Sequence, residues 1–168
     1  MNIIIKQSIY AFFFVTISSG AIGQTFELNE SKVGINFGSD LDNTSIGFTA
    51  ETPFLDNYGE MSLNLIKDSY KFSFLYKYYT DIELDDLPNL RYYYGLGPSV
   101  VINDQSVPDD NTTIWAGVGA CAGLDYSFDD IPLIVGLELK PAYYYEVGFY
   151  FTQFGLFCKY DLAKHKAK

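Results

Sequence analysis

Carboxylates are the first residues in this chain whose spacing could do chemistry. Asp81, Glu83, Asp85 and Asp86 crowd one short stretch and offer the oxygen ligands that a hard cation takes. A solvated turn is the plainer reading, since nothing else in the sequence is drawn to that stretch. Asp40, Asp42 and Glu51 stand at the first, third and twelfth places of a calcium-loop spacing. Ser45 occupies the place where such a loop turns on Gly, and Ile46-Gly47-Phe48 already reads as strand, so that spacing is set aside. Asp129-Asp130, followed by Ile131-Pro132, is a tight turn that implies no pocket. The single His, His165, lies in a basic tail, so no Ser-His-Asp or Cys-His pair can be held in place. No catalytic residue, metal or cofactor is expected, and the chain is not read as an enzyme.

The charges that carry information are those inside alternating stretches. From Ile114 to Tyr160 apolar and small or polar residues alternate with period two. Ala116, Val118, Ala120, Ala122, Leu124, Tyr126 and Phe128 share one face, with Gly117, Gly119, Cys121, Gly123, Asp125 and Ser127 on the other. After the turn, Leu133, Val135, Leu137 and Leu139 oppose Ile134, Gly136, Glu138 and Lys140. Upstream, shorter alternating runs cover Lys32 to Gly38, Ser45 to Glu51, Glu60 to Leu65, Lys71 to Tyr79 and Arg91 to Ile102. The last ends the chain at Leu156, Cys158, Tyr160 and Leu162. Turn chemistry at Ser39-Asp40-Leu41-Asp42-Asn43, Asp56-Asn57-Tyr58-Gly59, Lys67-Asp68-Ser69 and Val107-Pro108-Asp109-Asp110-Asn111 separates them. That makes eight strands. The first three runs fall short of the roughly 9–11 residues that a tilted membrane strand needs.

Parity then sorts the charges. Lys32, Glu51, Glu60, Lys71, Lys77, Arg91, Asp125, Glu138, Lys140, Lys159 and Asp161 all fall on the face opposite the apolar one. A sheet with one face in water gives the same alternation. Here the uncharged face runs through every strand and is rich in Tyr and Phe, in a chain that is 18% aromatic. That suits a closed barrel with a polar inside and lipid outside. Val33, Phe48, Leu63, Phe74, Leu124, Leu137 and Leu156 would then face lipid. Lys77, Arg91, Asp125, Glu138, Lys140 and Lys159 would form a charged network in the lumen, with Asp125–Lys140 and Glu138–Lys159 within plausible reach. Leu75, Tyr79, Tyr93, Ile134 and Phe157 would help to plug the lumen. The inward Gly34, Gly47, Gly95, Gly97, Gly117, Gly119, Gly123 and Gly136 read as relief for bulky neighbours or as bends.

The chain ends are read from composition. Lys6, the apolar run Ile9–Ile17 and the small residues Ala21 and Gly23 make a secretory signal peptide over residues 1–23. Residues 24–162 are the barrel, and 163–168 a basic, disordered tail. Export permits disulfides, but Cys121 and Cys158 fall on opposite faces of strands separated by another strand. Two free thiols are expected. A net charge of −10 and the lack of a basic stripe exclude nucleic acid as a partner. Asn43-Thr44-Ser45 and Asn111-Thr112-Thr113 match the glycosylation triplet, which matters only in a eukaryotic secretory pathway.

Three segments carry a resemblance. They are Tyr92-Tyr93-Tyr94-Gly95-Leu96-Gly97, Gly123-Leu124-Asp125-Tyr126-Ser127-Phe128 with its Asp129-Asp130-Ile131-Pro132 turn, and Leu137-Glu138-Leu139-Lys140-Pro141. Together they resemble the small outer-membrane β-barrel proteins of Gram-negative bacteria, the OmpA/OmpX-like eight-stranded barrels. Tyr160 and Leu162 stand where that family commonly ends on Phe or Tyr, and Ala163–Lys168 follows them. The resemblance implies an all-β, eight-stranded antiparallel up-and-down transmembrane barrel in the cell outer membrane. Its partners would be membrane lipid and, during assembly, the barrel-insertion machinery. Its role would be structural or in surface interaction. The alternative is a soluble lipocalin-like barrel carrying a small apolar ligand, which would need the apolar set inside and the charged set outside.

Overall fold

The alternating runs become strands in a computed structural model, and the strands reach past the runs. Described residues are 30–40, 43–84, 87–103, 113–145, 147–150 and 154–166. Residues 1–23, expected as a signal peptide, together with Asp42, Asp85, Asp86, Asn111, Thr112 and the last two residues lie outside them. The strands are β1 (Lys32–Asp40), β2 (Asn43–Phe54), β3 (Asn57–Ile66), β4 (Ser69–Asp81), β5 (Leu90–Asn103), β6 (Thr113–Ser127), β7 (Leu133–Leu139), β8 (Ala142–Tyr144), β9 (Gly148–Tyr150) and β10 (Phe154–Asp161). A pause at Lys140-Pro141 divides β7 from β8 within one stave, and β9 with β10 make the next, so ten stretches build eight staves.

Every stave pairs antiparallel with its sequence neighbours, and β1 pairs with β10 to close the wall. Val33 opposes Tyr160 and Phe37 opposes Leu156 at that seam. The result is an all-β, eight-stranded up-and-down barrel. Partners followed from Gly34 through Thr49, Ser62, Ser73, Ser99, Gly117 and Tyr144 arrive at Gly148, eleven positions from Lys159, the other partner of Gly34. A stagger of that size tilts the strands by roughly 35–45° to the barrel axis.

Three sequence expectations need correction. The first strands are longer than their alternating runs, with 9, 12 and 10 residues in β1, β2 and β3. Asn57-Tyr58-Gly59, expected as turn, belongs to β3, because Phe54, Pro53 and Thr52 on β2 offer it a backbone ladder. The turn itself shrinks to Leu55-Asp56, and it needs left-handed backbone at Leu55 (φ 54°). At the other end, strand gives way at Asp161. Leu162–Lys166 is a short helix, α1, where the last strand was expected to reach Leu162. Asp161 starts it, its Oδ1 accepting the N–H of Ala163 at 2.9 Å and of Lys164 at 3.4 Å.

Inward side chains fill the barrel. Leu75, Tyr93, Cys121, Ile134 and Phe157 form one buried cluster with Tyr79 packed on it, and Val101, Ala142 and Tyr144 form a second beside Trp115. Bulky rings crossing the lumen explain some of the glycines. A Cβ on Gly136 would run into the Phe157 ring, and one on Gly123 into the Tyr93 ring. No described helix is long and apolar enough to cross a membrane.

Candidate functional site

The inward face of six staves converges on one cluster of charge. Glu60 on β3 is its hub. Its Oε2 accepts from Lys77 Nζ at 2.6 Å and from Lys159 Nζ at 2.7 Å, and its Oε1 from Lys140 Nζ at 3.0 Å. Glu51 on β2 accepts from Lys32 at 2.8 Å, from Lys159 at 2.7 Å and from the Tyr79 hydroxyl at 2.6 Å. Glu138 on β7 pairs with Lys140 at 2.6 Å and with Lys77 at 3.5 Å, and accepts from the Tyr93 hydroxyl at 3.0 Å. These bonds join chain segments up to 108 residues apart and tie opposite walls together.

Burial makes the pairing necessary. Glu51 and Glu60 are each 1% exposed and Lys77 is 0% exposed. An ion withdrawn from water costs several kcal/mol unless opposite charge and hydrogen bonds replace its hydration. Each of the four lysines in the cluster has at least one carboxylate within 3 Å. Ring faces add to it, with Lys77 Nζ 4.3 Å from the centre of the Tyr93 ring.

Arg91 and Asp125 make a separate pair lower in the lumen. Arg91 Nε and Nη2 each donate to Asp125 at 2.9 Å, the bidentate fork that guanidinium and carboxylate favour. The Arg91 guanidinium also lies 4.6 Å from the Tyr79 ring centre. So Lys77, Arg91, Asp125, Glu138, Lys140 and Lys159 all point into the barrel interior, but the partnerships differ from those expected. Asp125 pairs with Arg91, its direct cross-strand partner, and not with Lys140. Lys159 pairs with Glu51 and Glu60, and not with Glu138. Lys140 stands four positions along from Gly136, the residue opposite Asp125 on β7. Four positions are roughly 13 Å along a strand, too far for a direct ion pair.

Glu51 and Glu60, like Lys32, belong to the cluster but lie outside the six-residue set. Parity does place both inward, but nothing in a one-dimensional pattern marks a hub. The Tyr79 and Tyr93 hydroxyls were missed as donors for the same reason. On the outside, Val33, Phe48, Leu124, Leu137 and Leu156 are exposed, Phe48 at 57% and Leu156 at 59%. Leu63 and Phe74 are part-exposed on the same outer face. Cys121 is buried inside and Cys158, on β10, is half-buried, and both are free thiols. Among the described residues no group of three or more His, Cys, Asp or Glu is placed to hold a metal. Chemically, the cluster can fill and brace the lumen.

No protein-family model matches the sequence, and comparison with curated proteins finds no match. Solved structures do match. The N-terminal β-barrel domain of Pseudomonas aeruginosa OprF superposes with a TM-score of 0.60 at 16% identity, covering 79% of this chain and 96% of that one. Neisserial surface protein A (NspA) superposes with a TM-score of 0.50 at 12% identity, covering 78% of this chain and 94% of that one. At these identities the likeness is one of architecture: this chain is a closed eight-stranded antiparallel barrel, and its fold is similar to that of these two proteins.

Proposed function

We propose that this chain is an integral outer-membrane barrel with a structural or surface-interaction role, a lumen closed by side chains and no catalytic activity. In this reading residues 1–23 are a cleaved signal, and membrane lipid and the barrel-insertion machinery are the partners. The observation that carries it is an inside-out distribution of polarity. Lysine and glutamate are buried in the interior while Phe37, Phe48, Leu96, Val118 and Leu156 are exposed around the wall. A protein in water would leave that apolar belt unpaid for; hydrocarbon accepts it. A soluble carrier of an apolar ligand needs the opposite arrangement, with Val33, Phe48, Leu63, Phe74, Leu124, Leu137 and Leu156 lining a cup.

The lumen contents support the plugged part of this reading. Eight strands enclose only enough room for side chains to fill, and here three carboxylates, four ammonium groups and the Leu75–Phe157 cluster occupy it. Fractionation tests the reading. The protein should pellet with outer membranes, resist carbonate extraction and migrate differently on a gel before and after heating. Recovery in the soluble periplasmic fraction would sink it.

A further inference from the structure

Beyond the charge cluster, the described residues leave a recess at the end of the barrel where β1 begins and β10 finishes. A pocket of about 360 Å³ lies there, lined in part by Lys32, Asp81, Arg91, Asp161 and Lys164. Its volume is in the range of small-molecule sites. Its charges are not used up by each other. Lys32 is committed to Glu51. Arg91 spends Nε and Nη2 on Asp125, and Nη1 has no partner among the described residues. Lys164 Nζ donates to two neutral acceptors, Ser127 Oγ and the Phe128 carbonyl oxygen, each at 3.0 Å, so no carboxylate balances it. Asp81 has no ion pair among the described residues, and Asp161 uses Oδ1 on the helix N–H groups, leaving Oδ2.

One pocket therefore offers spare cationic donors and spare carboxylate acceptors, carried by different elements. Asp81 ends β4 and Arg91 faces it across the β4–β5 ladder. Asp161 ends β10, and Lys164 follows on α1. A plain anion would meet the two carboxylates, and a plain cation would meet Lys32, Arg91 and Lys164. A molecule with both charges satisfies both sets. We propose that this mouth binds a small zwitterion of the amino-acid or short-peptide class, its carboxylate taken by Arg91 and Lys164 and its ammonium by Asp81 and Asp161.

The test uses the whole barrel refolded in detergent micelles, with glycylglycine as probe beside its N-acetylated and C-amidated forms. Nitrogen-15 NMR follows the Arg91 Nε–H and the backbone amides of Asp81 and Asp161. Glycylglycine should give saturable shifts at these groups. Blocking either end should weaken binding roughly tenfold, as expected for a lost charge-assisted hydrogen bond. Asp81→Asn and Lys164→Met should each do the same in variants whose heat-modifiable gel mobility shows a folded barrel. Absent or non-saturating shifts, an equal response to the blocked peptides, or unchanged affinity in the variants would overturn the proposal. The readout does not depend on which membrane holds the barrel, so its failure leaves the outer-membrane reading standing.

Discussion

Glu60 accepts from Lys77, Lys140 and Lys159 on three different staves, and this one carboxylate shows what the buried charges do. Removing it leaves three buried ammonium groups with fewer partners than their burial demands. Glu60→Gln should destabilise the barrel by about 3–5 kcal/mol, the usual cost of breaking a buried pair from one side. The check is the temperature at which the folded gel band converts to the unfolded one. If the charges act as a unit, pairing Glu60→Gln with Lys77→Met should cost less than the sum of the two single changes. Additive losses would mean that Glu60 and Lys77 are each solvated and independent. The thiols carry a simpler prediction. Cys121 faces the interior and Cys158 the outer wall, with the β7 stave between theirs. Mass spectrometry of the unreduced protein should find both thiols free, because a disulfide needs Cα atoms within about 7 Å and converging side chains.

At the scale of strands, the glycines decide how tightly neighbouring staves and crossing rings can approach. Gly136 lies under the Phe157 ring and against the Leu124 backbone, so a methyl there has no room. Gly119 shares the inward face, yet its nearest atoms to a built Cβ are 3.5 Å away. Gly136→Ala should therefore cost about 1–3 kcal/mol through overpacking. Gly119→Ala should stay within roughly 0.5 kcal/mol of the parent. Thermal gel-shift midpoints of the two variants compare them directly, and equal midpoints would contradict this account of the lumen. The strand ends follow a different logic. Asn57-Tyr58-Gly59 has the residue types of a turn, but the β2 backbone beside it offers hydrogen bonds that the turn chemistry cannot match. At the chain's C-terminal side Asp161 caps a helix, and Leu162, whose N–H still donates to the Ser31 carbonyl oxygen at 3.1 Å, begins it.

For the whole molecule the deciding property is which side of the wall is apolar. Phe48 stands near the middle of β2 with more than half its surface exposed. If that surface meets lipid, Phe48→Arg should cost about 2–4 kcal/mol at mid-bilayer and impair assembly into membranes. If it meets water, the same change should leave folding unaffected and improve solubility. Assembly into lipid vesicles, scored by heat-modifiable mobility, separates the two outcomes. The OprF and NspA barrels share this closed architecture at 16% and 12% identity, so what is common to them is the arrangement of staves rather than particular side chains.

Period-two alternation by itself determined much of this protein. Because successive side chains on a strand point to opposite faces, Lys77, Arg91, Asp125, Glu138, Lys140 and Lys159 could be sorted to one side, and Val33, Phe48 and Leu156 to the other, without coordinates. The same parity, with turn residues between the runs, was enough to count eight staves. Partners are another matter. Which cation meets which carboxylate depends on register and on the stagger that closing the barrel imposes, and both arise only when β1 meets β10. That stagger sends Lys159 to Glu51 and Glu60, leaves Arg91 opposite Asp125 and makes Glu60 the hub. Distances across the lumen join residues as far apart as Glu51 and Lys159 in the chain, and no local pattern encodes a contact of that span.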